Sequence, residues 1–379
     1  MRSARLGATV AAVCAPCCVQ WWRALDGAAS RRDFVKGALT LPLIAAGCAT
    51  SSASQASGRA LLDEVVSIDV HSHPALFQTY SHTTIAEHAR AVESGKLGGA
   101  FLTAVGDGAA LGIRNNGMPF AARQPASGVL LESAWRQLSV LDGHARTLGM
   151  RPILRGADLA GATAARGRIA IMSVEGADFL EGRLDHVQGA YDRGVRSIQL
   201  VHYRVNELGD IQTEPPVHNG LTPFGRDVVL EMNRLGMLID LAHAPLPVVK
   251  RAVDTSTRPM LLSHTNIEDY SGFARFVSRE HAQLVASAGG VLGAWPISIR
   301  PGSFSTFIDH IKRMVDAVGV DHVAIGTDLA GMSPRAALFT DWAEWPSIPA
   351  ALLDRGFARQ DVAKIMGGNA QRLLEATLR

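Results

Sequence analysis

Two histidines two positions apart, His71 and His73, close a short β-branched run, Val65-Val66-Ser67-Ile68-Asp69-Val70. On an extended strand residues i and i+2 share a face, and imidazole is the commonest metal ligand among side chains, so the pair reads as two ligands of one cation. Other apolar runs end in the same way. Arg168 to Val174 runs into Glu175, Val195 to Val201 into His202, Met237 to Leu241 into His243, and Pro259 to Leu262 is followed by His264, as His322 to Gly326 is by Asp328. A carboxylate such as Glu175 at the end of a buried strand costs several kcal/mol unless a cation or hydrogen bonds answer it. A metal held by these histidines is the economical answer. Any one of them alone reads as a hydrogen-bonded core or loop histidine, and His82, His88, His144, His186, His218, His281, His310 and His322, none of which closes a strand, keep that structural or solvated reading. Trp135 and Trp295 read as core or pocket wall.

Residues at strand ends can meet only if the strands lie side by side with their ends on one face. Gly99 to Val105 and Gly290 to Trp295 bring the candidate strands to eight. Segments with helical spacing separate them: Leu130 to Leu148, Phe224 to Leu235 behind a Thr222 cap and Pro223 with Gly236 as the stop, Phe304 to Val318, and Asp361 to Leu378. Alternation of strand and helix implies a parallel sheet, and eight repeats imply an α/β fold closed as a TIM-like (β/α)8 barrel. Three long stretches without strand or helix signal, Asp107 to Ser127, Tyr203 to Gly220 and Ala330 to Glu344, follow strands and so fall on the carboxyl-end face, where such barrels build their pockets.

Composition excludes other classes. Against 37 Lys+Arg stand 35 Asp+Glu in 379 residues, a net charge of +2, so no global field draws the chain to nucleic acid. With 47% hydrophobic and 19% charged residues the chain can bury a large core. All four cysteines (Cys14, Cys17, Cys18, Cys48) lie in the first 48 residues, so the folded part contains no thiolate site or disulfide. Near the N-terminus, Arg31-Arg32 precedes a short apolar stretch, Gly37 to Gly47, too short to span a bilayer and sized for a twin-arginine export signal. Ala45-Ala46-Gly47-Cys48 resembles a lipoprotein cleavage box that would lipidate Cys48; the alternative is ordinary cleavage between Ala49 and Gly58. Residues 1–58 therefore read as signal and flexible linker, 59–379 as the barrel, and the mature chain as exported, either periplasmic or anchored to the membrane by lipid.

Several segments together, Ser173-Val174-Glu175-Gly176, Leu200-Val201-His202, Asn219 to Gly225, Leu238 to His243, Ser263-His264-Thr265, Ile325 to Asp328 and Lys364 to Asn369, with the His71-x-His73 pair, resemble the membrane (renal) dipeptidase family of zinc peptidases, within the amidohydrolase superfamily. The resemblance runs from about Val65 to the C-terminus. It implies a dipeptide substrate and two Zn²⁺: His71 and His73 on one, His243 and His264 on the other, with Glu175 and a water or hydroxide bridging them. Such a pair can bring a water's pKa toward neutrality and polarise a carbonyl. The resemblance also implies that His202 steadies the substrate carbonyl as charge develops, that Asp328 takes a proton from the attacking water and returns it to the leaving amine, and that Arg275 clamps the substrate's terminal carboxylate.

The family usually has Asp where this chain has His73, which removes one unit of negative charge from the first site and implies weaker metal retention there. It also usually has Asp where this chain has Ala330. No lysine ends the fourth strand, so the carbamylated-lysine bridge of other amidohydrolases is not expected. Gly367-Gly368-Asn369 follows no strand and reads as a turn or cap rather than a phosphate cradle. Two other functions stay open: a related hydrolase acting on lactones, N-acyl amino acids or β-lactams, and a non-catalytic ligand-binding lipoprotein, against which Asp328 argues. Expected partners are a dipeptide, a lipid anchor at Cys48 and, with no motif to specify it, a second copy in a homodimer.

Overall fold

The computed structural model describes residues 52–77, 82–115, 117–164, 167–267, 272–298 and 302–379. The twin-arginine segment and Cys48 lie outside the described residues. The stretch expected as a flexible linker is instead helical over 52–62, with Leu61 and Leu62 buried. Among the described residues, no helix is long and apolar enough to cross a membrane.

Eight parallel strands form the barrel: β1 (Ile68–Ser72), β2 (Gly99–Val105), β3 (Arg168–Glu175), β4 (Val195–Gln199), β5 (Leu238–Asp240), β6 (Leu261–Thr265), β7 (Val291–Ala294) and β8 (Val323–Ile325). Each pairs with the next, β8 pairs with β1, and β2 with β3, so the ring is closed. Helices alternate with them: α1 (Ile85–Gly95), α2 (Val129–Thr147), α3 (Asp185–Asp192), α4 (Pro223–Leu235), α5 (Leu246–Thr255), α6 (Arg279–Ser287), α7 (Phe304–Val318) and α8 (Asn369–Thr377). Their starts follow capping chemistry. The Thr222 hydroxyl accepts from Gly225 N and Pro223 fills the first turn of α4; Ser303 and Thr306 form a reciprocal box at α7.

Alternation along the strands sorts side chains into two apolar layers. Leu238, Leu261, Val291, Ala324, Ile169 and Phe101 form one cluster with Leu373 and Leu374 of α8. Their neighbours Ile239, Leu262, Leu292, Ile325 and Leu102 pack in another with helix residues such as Val228, Val249 and Ile308. The first cluster fills the interior and the second cements the helices to the ring, the two-layer arrangement a closed parallel barrel requires.

Three further features depart from the sequence reading. The Asp107–Ser127 stretch contains an antiparallel hairpin, Leu111–Ile113 against Pro119–Ala121, and a further short strand, Met150–Pro152, pairs with the start of β3. Three-residue strands leave too short a pattern for periodicity to detect. Gly367-Gly368-Asn369 lies within one continuous helical run, where Gly368 caps the start of α8 in right-handed helical conformation. Lys364–Gly368 is a π-helical turn joining the helix Arg359–Ala363 to α8, and the Asn369 amide donates to Val320 O (2.7 Å) and Val323 O (2.8 Å), pinning that helix to the foot of β8.

Candidate metal centre

Register irregularities aim the first ligands. Asp69 pairs with Ala100 and Ser72 with Leu102, so Val70 and His71 together oppose the single residue Phe101. A bulge of this kind reverses the alternation locally. Val70 packs with the interior cluster, and His71, which strict alternation from Val70 would turn toward the helices, joins His73 instead. The same device occurs in β6, where Leu262 pairs with Leu292 but Thr265 with Ala294, so Ser263 and His264 together oppose Gly293.

Around Glu175, at the last position of β3 and 3% exposed, five imidazoles converge through Nε2. Glu175 Oε1 lies 3.5 Å from His71, 3.3 Å from His243 and 3.4 Å from His264; Oε2 lies 3.3 Å from His73 and 3.4 Å from His202. His71 and His73 are 3.1 Å apart at Nε2, as are His243 and His264. These residues form two three-ligand groups that could hold a metal ion, His71-His73-Glu175 and Glu175-His243-His264, with Glu175 common to both. The donor spacing fits: a tetrahedral site with metal–ligand bonds of about 2.0–2.1 Å has edges of roughly 3.3–3.4 Å, close to the separations here. His73 Nδ1 sits 2.8 Å from Thr103 O, which fixes that ring with Nε2 turned toward Glu175 and Asp328.

Electrostatics divide the site. Burial alone would raise the Glu175 carboxyl, but His202, His71 and His243 outweigh it and hold it well below the usual carboxylate range. His243 and His264 are pushed well below the usual imidazole value, first by burial and then by Arg275 and His71 respectively, so both rings are neutral. His73 goes the other way. Burial opposes protonation, yet Asp328 and Glu175 drive it up to about 10. His202 also rises despite burial, because Asp107 and Glu175 outweigh it. Asp107 accepts from His202 Nδ1 at 2.7 Å and from Tyr203 N at 3.1 Å, leaving His202 Nε2 aimed at Glu175.

The remaining expected residues take these places. Asp328 lies three residues beyond β8, its Oδ1 3.4 Å from His73 Nε2. Arg275 is 1% exposed, hydrogen-bonds Gln212 and Tyr203, and stacks over Trp295 with 5.5 Å between guanidinium and ring centre. Tyr203 and Trp295, with Phe77, Met118, Phe273 and Met332, line a cavity of about 320 Å³ whose floor is Glu175, His73, His243, His264 and Asp328. Three non-glycine residues near the site, His243 (φ 66°), Asp328 (φ 53°) and Ala330 (φ 64°), sit in the left-handed region, local strain of the kind that gathers at functional sites. Sequence reasoning passed over Asp107, Tyr203, Asp240 and Ser263. Asp240 did leave a signal, a lone charge inside the apolar run Leu238-Ile239-Asp240-Leu241.

Residues 55–378 match the family model described as membrane dipeptidase (peptidase family M19). The chain belongs to this family. Among curated proteins it is 31% identical over 211 residues to dipeptidase tcpJ of Claviceps purpurea, covering 54% of this chain and 50% of that one, and 30% identical over 220 residues to dipeptidase aclJ of Aspergillus oryzae, covering 55% and 51%. The chain thus spans about half the length of the curated relatives it matches. Among solved structures, the probable dipeptidase PvdM from Pseudomonas aeruginosa superposes with a TM-score of 0.73 at 19% identity over 86% of this chain and 99% of that one. A metallo peptidase from Rhodobacter sphaeroides, liganded with a phosphinate mimic of L-Ala-D-Ala, superposes with a TM-score of 0.71 at 18% identity over 83% and 99%. Both share the fold of this membrane dipeptidase family chain.

Proposed function

We propose that this chain is a metal-dependent dipeptidase that hydrolyses the peptide bond of a free dipeptide, with two Zn²⁺ as its cofactor. The observation that carries the reading is the pair of three-ligand groups sharing Glu175. His71 and His73 would hold one ion and His243 and His264 the other, and the shared carboxylate would offset part of the repulsion between them. Bound there, the ions would supply Lewis acidity and ready ionisation of a water at neutral pH. The chain's own residues do the rest. His202, its Nδ1 proton committed to Asp107, presents Nε2 to the carbonyl oxygen of the scissile bond, where negative charge develops. Asp328, at the cavity floor, takes the proton of the attacking water and passes it to the leaving amine. Arg275 recognises the substrate's terminal carboxylate together with Tyr203, its hydrogen-bond partner in the cavity wall.

The test is a dipeptide panel, including D-residues on the C-terminal side, run on protein of counted metal content with and without a chelator. Hydrolysis that a chelator abolishes and added metal restores is expected. Hydrolysis indifferent to chelator, or turnover of lactones and N-acyl amino acids in place of dipeptides, would overturn the reading. We also propose export, on the strength of the twin-arginine stretch, with lipid attached at Cys48. Palmitate labelling that persists in Cys48→Ala would refute the anchor.

A further inference from the structure

One hydroxyl touches both halves of the centre. The bulge in β6 turns Ser263 and His264 inward together, and Ser263 Oγ comes to lie 2.9 Å from His264 Nδ1 and 3.3 Å from His71 Nδ1. Those rings belong to different three-ligand groups. The same hydroxyl hydrogen-bonds the buried carboxylate of Asp240, which also accepts from Ser263 N and Ala242 N, each at 3.0 Å. The neighbouring strands pack closely on the Ser263 backbone, since a Cβ on either Gly293 or Gly326 would fall 1.8 Å from its carbonyl oxygen.

A hydroxyl offers one proton and two lone pairs, whereas an ionised carboxylate only accepts. The three neighbours therefore fit in one arrangement: Oγ–H donates to Asp240, and both imidazoles donate Nδ1–H to Oγ. We propose that Ser263, oriented by Asp240, is a positioning residue that sets the tautomer of His71 and His264 at once, leaving both Nε2 atoms with a free lone pair toward Glu175. Were the hydroxyl to donate to either ring, that neutral ring would carry its proton on Nε2 and offer a cation nothing. The other ligands are arranged separately. His73 has Thr103 O, and His243 Nδ1 has no hydrogen-bond partner among the described residues. The inference rests on the metal-centre reading for its consequence but not for its geometry.

The test uses the full chain. In metal-free protein at about pH 9, above the ordinary imidazole pKa of about 6.5, imidazole nitrogen NMR with resonances assigned by single substitution should show both His71 and His264 protonated on Nδ1. Ser263→Ala should shift both toward the Nε2-protonated form that histidine prefers in water. Metal titration of the variant should weaken both sites, by about 10–100-fold each, and Ser263→Cys, which keeps the volume but accepts poorly, should fall between. A wild-type ring protonated on Nε2, tautomers unmoved in Ser263→Ala, or weakening at one site alone would overturn the proposal. The wild-type spectrum decides even if the alanine variant does not fold. Wild-type protein that shows both Nδ1 tautomers yet binds no metal would count against the dipeptidase reading and leave the role of Ser263 standing.

Discussion

Gly331 sits where the candidate proton carrier has no slack. A Cβ at this position would lie 2.0 Å from Asp328 Oδ1 and 2.7 Å from His73 Cδ2. Its φ lies outside the left-handed region, so alanine fits the backbone and only the contact is at issue. Ordinary contact begins near 3.4 Å, so in Gly331→Ala the Asp328 carboxylate must retreat by more than an ångström, or the His73 ring with it. A misplacement of about 1 Å costs on the order of 10²-fold in rate, equivalent to about 2.7 kcal/mol, with the whole general acid–base contribution, roughly 10²–10⁴-fold, as the ceiling. The expected result is a kcat lowered by about 10²-fold with KM little changed. Steady-state kinetics with parallel metal counting separates the two contacts: loss of kcat with metal retained places the effect on Asp328, loss of one metal on His73. A cycle with Asp328→Ala completes the case, because Gly331→Ala should add little once the carboxylate is gone. A Gly331→Ala enzyme within threefold of wild type, or one whose loss simply adds to that of Asp328→Ala, would refute the reasoning.

Other expectations follow from the same geometry. His73, driven up to about 10, keeps its proton at neutral pH; a cation at His71 and His73 must displace it, at a cost of about 4 kcal/mol at pH 7. Affinity there should rise about tenfold per pH unit toward 10, while the His243–His264 site, whose rings are already neutral, stays nearly flat. Competitive chelator titrations at two pH values check this, and equal slopes, or two metals equally retained through dialysis, would contradict it. In the metal-free chain the raised His73 pKa stabilises the fold below the ordinary imidazole value, a contribution lost as pH climbs through about 10, so thermal midpoints should fall across that window. Arg275→Ala should cut kcat/KM for dipeptides sharply and leave uncharged esters or lactones unaffected; equal losses on both would remove carboxylate recognition from its account. His202→Ala should lower kcat by about 10²–10³-fold, and Asp107→Asn, which keeps the hydrogen bond but not the charge, should fall between it and wild type.

The ring of strands and most of its ligands were legible because each strand is a short apolar run and six of the eight runs lead into an ionisable side chain, a pattern local to a few residues. The second strand, Gly99–Val105, has the bounds read for it, and α7 begins and ends where its spacing places it. What stayed hidden is long-range. Asp107 reaches His202 across 95 positions and Ser263 reaches His71 across 192, and no periodicity encodes a partner at that distance. The hairpin Leu111–Ile113/Pro119–Ala121 was missed for a different reason, its strands being shorter than the pattern used to find strands.

The bulges carry the more general lesson. The sequence argument for His71 and His73 as ligands on one face assumed strict alternation, and the two rings do share the interior. Yet alternation from Val70, which also faces inward, would have turned His71 out toward the helices; the extra residue in β1 brings it back. In β6 the same irregularity puts Ser263 beside His264. Two of the ligand-bearing strands thus place consecutive side chains in the interior, something a regular strand cannot do. Ligand and orienting hydroxyl can then be adjacent in sequence. A bulge at these positions is therefore part of the centre's chemistry, and a change that restored regular pairing in β6 would turn either Ser263 or His264 away from the cavity.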